Sequence, residues 1–115
     1  MSVRARLSAA LPVAMKARDR VAVAALRSAL AAVANAEAVP VDSAPRAGAL
    51  EDAASGPGAA DAPRRELTED DVRALVVGEV EDRDRAAAEL AGLGRVEDAA
   101  RLTAEADVLR TALAS

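Results

Sequence analysis

The chain contains no His, Cys, Trp, Tyr, Phe or Ile. Without His and Cys, the usual neutral-pH proton shuttle and the thiolate nucleophile are missing. Structural zinc, which is built mainly on Cys and His, is excluded. No disulfide can form, so nothing points to a secreted, cross-linked framework or to redox work. With no aromatic ring, bases cannot stack on side chains, the usual device of single-strand nucleic-acid binders. No apolar run approaches the roughly 20 residues that span a bilayer.

What remains is mostly alanine. The 115 residues suit one domain, and its core must come from 33 Ala, 13 Val and 12 Leu. Alanine buries little surface at roughly 25 cal/mol per Å², so helix packing is expected to be thin and stability modest. Net charge is −4, unevenly spread. Residues 1–37 hold six basic and two acidic side chains, residues 38–66 three and five, residues 67–115 six and twelve. A basic front and an acidic back can favour head-to-tail contact or a polyanion on one face, and a solvated surface gives the same pattern.

Pro40–Arg65 carries Pro40, Pro45, Pro57 and Pro63 with Gly48, Gly56 and Gly58. Such a stretch breaks helices and reads as a disordered linker. Its length is tolerable, because closure entropy grows only logarithmically. The chain is thus predicted to be all-α: a helical hairpin over 1–39, the linker over 40–66 and a second hairpin over 67–115. The two hairpins are antiparallel and form one four-helix domain.

The first helix is predicted over Val3–Ala17, with Val3, Leu7, Leu11 and Ala14 at helical spacing. Pro12 should kink or break it near Ser8–Leu11, because proline lacks an N–H and clashes with the preceding turn. The second is predicted from an Asp19 N-cap to about Val39, the third after Thr68 to Gly92 or Gly94, the fourth from Val96 to Ala112. Thr68 and Asp71 have capping-box spacing, with Asp in place of the preferred Glu or Gln.

Helical projection places Val23, Leu26, Leu30 and Val33 on one face of the second helix and Arg20, Arg27 and Asn35 opposite. The fourth buries Leu102, Ala106, Leu109 and Leu113. The third buries Val72, Leu75, Val76, Val80, Leu90 and Leu93, yet Glu79 and Arg83 fall within that stripe. Glu four residues before Arg is the favourable order for a pair. Glu37 ends the second helix near its apolar stripe, so a polar layer of Glu37, Glu79 and Arg83 is expected. It reads as a register device, as a recognition groove, or as side chains reaching out to solvent.

Reactive constellations are scarce. Lys16 is the single lysine; a desolvated lysine can be a nucleophile, but a lysine in a basic turn is normally exposed. Ser8 and Ser28 have no His partner. Glu79, Glu81, Asp82 and Asp84 could suggest a carboxylate metal site, but the Glu-x-x-His companion of di-iron bundles is absent. Glu69–Arg73, Glu81–Arg85 and Glu97–Arg101 also stand four apart, so a salt-bridged helical surface accounts for the acids better. No strand precedes a glycine-rich loop, and Gly92-Leu93-Gly94 reads as a helix-ending turn. These residues give no catalytic, cofactor-binding or metal-binding set.

Two blocks carry a family resemblance. Met15–Glu37 reads MKARDRVAVAALRSALAAVANAE; Leu67–Leu109 opens LTEDDV and carries GEVEDR and GLGRVEDAARLTAEADVL. Together they resemble the YqeY family, related to the tail region of the aminoacyl-tRNA amidotransferase B subunit (GatB). Met15–Asp19, Leu26-Arg27, Asn35-Ala36-Glu37, Glu79-Val80 and Arg83 stand where the family has similar residues. Met1–Arg18 is basic and acid-free like a transit peptide, but the family pattern begins here too, so the segment is read as part of the fold. The resemblance implies an all-helical, cytoplasmic bacterial protein. It implies association with tRNA or with an amidotransferase subunit, whose glutamine-dependent carbon–nitrogen ligase chemistry belongs to other subunits. The chain stops at Ser115, where the family continues into a Tyr-Leu-Pro segment and a C-terminal half, which weakens the RNA role.

Two functions are therefore expected from the sequence. One is a non-catalytic adaptor touching tRNA or an amidotransferase through Lys16, Arg18, Arg20 and Arg27. The other is a protein–protein module without RNA contact, a homo-oligomer included.

Overall fold

The computed structural model describes residues 1–38 and 65–115; the predicted linker lies outside them except for Arg65 and Glu66. Four helices follow in order: α1 Val3–Ala17, α2 Arg20–Ala38, α3 Glu69–Gly92 and α4 Val96–Ala114. There is no strand among the described residues, and the all-α, two-hairpin bundle expected from the sequence is what forms.

Local chemistry sets each boundary. The Ser2 side chain accepts from the Ala5 N–H and starts α1. At the other end Arg18 adopts a left-handed conformation (φ 56°), and its N–H and that of Asp19 close on carbonyls of the last turn of α1. Asp19 then accepts from the Ala22 N–H at 3.0 Å, capping α2 as its position predicted. Thr68 and Asp71 form the reciprocal capping box that starts α3. Gly94, at φ +79°, turns the chain into α4.

Pro12 does not break α1. The helix runs through it as one element. Pro12 and Ser8, whose carbonyl loses its partner, are both exposed, so the orphaned oxygen faces solvent and the rest of the helix is held by Val3, Leu7 and Ala14.

The core is shared by all four helices. Leu7, Leu26, Leu109, Val3 and Val76 are its largest fully buried side chains. Alanine does more than the projection suggested: Ala22, Ala25 and Ala29 of α2 and Ala106 and Ala112 of α4 are buried, while Val23, Leu30, Leu102 and Leu113 are only partly so. Small side chains let helix axes approach, so the contact line follows alanine rather than the bulkiest residues. α2 packs against each of the other three helices. α1 is tied to the second hairpin near its start. The Val3 N–H donates to Glu69 Oε1 at 3.0 Å, and Arg6 Nε donates to the Ala112 carbonyl at 2.6 Å.

The second hairpin outreaches this core. Ala87 and Ala99 are buried outside the shared cluster. Leu93, expected in the stripe, is 76 % exposed at the tip, because the bundle ends before it. By length and composition α2 is apolar enough to cross a membrane, although no uninterrupted apolar run in the sequence suggests it. Core helices meet the same criterion, and α2 gives Ala25, Leu26, Ala29 and Val33 to the core.

Candidate functional site

The predicted polar layer forms with different members. Arg83 NH1 reaches Glu79 Oε1 at 3.2 Å, and its Nε reaches Glu105 Oε1 on α4 at 3.0 Å. Ser28 of α2 donates its hydroxyl to Glu79 Oε1 at 2.7 Å. Side-chain exposures of 12 % for Arg83, 12 % for Glu105 and 21 % for Glu79 place the group well inside the bundle. Glu37 does not belong to it. Its carboxylate pairs with Arg4 at 3.0 Å, because the end of α2 meets the start of α1 rather than the middle of α3. Ser28 and Glu105 were missed. The signal for Glu105 was present: it lies three residues after Leu102 and four before Leu109, within the apolar stripe.

This network joins α2, α3 and α4 but offers no reaction. Ser28 sits inside α2, where helical backbone N–H groups are already bonded, so no oxyanion donors face its hydroxyl. Glu79 is held from two sides by Ser28 and Arg83. Among the described residues no three acids converge as metal ligands.

The three expected i,i+4 surface pairs do not form. Arg85 pairs with Asp82 and Arg101 with Asp98, each at i,i+3 spacing. Arg73 instead donates to the Leu113 carbonyl, and Glu69 accepts from Val3. Arg110 clasps Asp84 of α3 at 2.7 Å and Asp107 at 2.9 Å. The Asp84 hydrogen bond, and then that to Asp107, raises the Arg110 pKa; the same bond lowers that of Asp84. Asp71 is lowered as well, first by the Thr68 backbone N–H and then by its hydroxyl.

The basic candidates gather at the α1–α2 corner. Lys16 stands in the last turn of α1, Arg18 at the left-handed cap, Arg20 at the start of α2, and Arg27 two turns or about 10 Å further along α2. All four are exposed. None forms an ion pair among the described residues, whereas Arg83, Arg85, Arg95, Arg101 and Arg110 of the second hairpin all do. The first turn of α2 contains no acid, so the positive end of its dipole adds to the same field. Asp19, spent on capping, is the acid in their midst.

Beside this corner lies an open groove of about 450 Å³ where α1, α2 and the end of α4 meet. Val13, Ala14, Ala17, Ala22, Leu26 and Val108 are among its lining residues. Compared with family models, with curated proteins and with solved structures, the chain matches none.

Proposed function

We propose that the chain is a non-catalytic helical adaptor of the YqeY type that offers its α1–α2 corner to tRNA phosphates, alongside glutamine-dependent amidotransferase machinery in a bacterial cytoplasm. One observation carries this reading: Lys16, Arg18, Arg20 and Arg27 are exposed and form no ion pair among the described residues, while five of the six arginines of the second hairpin meet carboxylates. Cations left free are available to phosphates, and each contact releases counterions. The resemblance through Met15–Asp19, Leu26-Arg27 and Asn35–Glu37 supports tRNA as the polyanion. The absence of aromatic side chains favours backbone contact over base stacking.

The test is tRNA binding by fluorescence anisotropy across a salt series. Four phosphate contacts should give a slope of log K against log salt of about −3. Charge reversal at Arg20 and Arg27 should weaken binding more than tenfold, while Arg85→Glu, far along the other hairpin, should leave it unchanged. A flat salt response, or no binding at low salt, discards the reading. The apolar groove supports a second one, a protein-docking module.

A further inference from the structure

Among the described residues, three large exposed apolar side chains stand at two places, with Met1, Met15 and Val77 outside both. One is the groove, where Val13 is 69 % exposed. The other is the α3–α4 tip, where Leu93 is 76 % and Val96 69 % exposed around the Gly94 turn. The groove has small walls, Ala14, Ala17 and Ala22, and is concave; the tip is a narrow projection.

Their charges are opposite. Ala17 and Asp19 line the groove, which sets at its edge Lys16, Arg18 and Arg20, none of them in an ion pair among the described residues. At the tip, Asp98 pairs with both Arg95 and Arg101 while Glu89 and Glu97 stand outside any ion pair among the described residues, so three acids and two bases leave a net charge of −1. The tip cannot fill its own groove. Val108, on the groove wall, is twelve residues beyond Val96 on one continuous helix, which separates them by about 18 Å.

We propose that the α3–α4 tip of one copy of this chain seats in the α1–α2–α4 groove of a second copy, with Leu93 and Val96 against Val13, Ala17 and Val108 and with Glu89 and Glu97 facing Lys16, Arg18 and Arg20. The two surfaces differ, so the contact is heterologous and a pair of copies keeps one free groove and one free tip. Copies therefore add in rows. A contact made by one helical turn buries less than the roughly 1,000 Å² of a stable interface, so the association is weak and depends on concentration and salt.

Sedimentation velocity on the full chain from about 10 µM to about 1 mM tests this. Average mass should rise with concentration and fall with added salt. Val13→Asp and Leu93→Asp each replace an exposed side chain, and circular dichroism checks that both variants fold. Each alone should stay monomeric. Mixed in equal amounts, they should give a two-chain species and nothing larger, because one copy keeps its tip and the other its groove. A wild-type chain that stays monomeric at the highest concentration overturns the proposal. So does self-association that neither variant changes, or a mixture of the two that remains monomeric.

Discussion

The first turns of α3 and α4 carry Glu69, Asp70, Asp71, Glu97 and Asp98, while those of α1 and α2 carry no acid. The ion pairs lean the same way: among the described residues five of the second hairpin's six arginines meet carboxylates, all but Arg73, while of the first hairpin's six cations only Arg4 does. The difference follows the core. The second hairpin extends past the shared cluster, where little apolar burial helps it, and there complementary dipoles and surface pairs add their few tenths of a kcal/mol each. The first hairpin is held instead by α2, packed on three sides, and Lys16, Arg18, Arg20 and Arg27 take no part in an ion pair among the described residues.

This contrast can be broken at several points. The largest effect is expected in the shared core. Leu26→Ala, at a side chain 1 % exposed, should lower stability by about 3 kcal/mol. Leu90→Ala, half-buried in the outer hairpin, should lower it by about 1 kcal/mol. Equal losses in urea melts would mean that the outer hairpin has as much core as the inner one.

Arg83→Leu comes next. It strands Glu79 and Glu105 together inside the bundle, with an expected loss of about 2 kcal/mol at neutral pH. An unchanged melting temperature removes the layer's structural role.

A smaller change of opposite sign is expected at Arg18. Its φ of 56° suits glycine, so Arg18→Gly should stabilise by about 0.5–1 kcal/mol while weakening tRNA binding. A gain in both would separate the corner from recognition.

The smallest effect belongs to the exposed clasp. Asp84 and Asp71 are both lowered below their ordinary value. Their contribution is therefore present above about pH 4 and lost as pH falls through the folded-state values. Asp84→Asn should flatten part of that acid slope in a pH series of thermal melts.

Much of this fold was legible because the punctuation is local. Asp19, Thr68, Asp71 and Gly94 each act within their own turn, so spacing alone located two helix starts and a stop. The faces were less legible. Hydropathy ranks leucine above alanine, and an alanine-lined contact such as Ala22, Ala25 and Ala29 hides from it. The polar layer was half legible: Glu79 and Arg83 share a helix, but the third partner depended on which helix passes opposite. Glu37 was the wrong choice because a hairpin returns its end to its beginning. The basic corner was visible as composition; that its members form no ion pair among the described residues needed three dimensions. The groove left no trace in the sequence at all.

The alanine surfaces have one more consequence. Rods with so little relief offer few ridges to resist sliding, and a slip of α2 by one turn moves it about 5.4 Å along α3. Such a slip would replace Ser28 by Ala24 or Ala32 opposite Glu79 and take away the hydroxyl at 2.7 Å. A single serine thus acts as a latch on an otherwise smooth track.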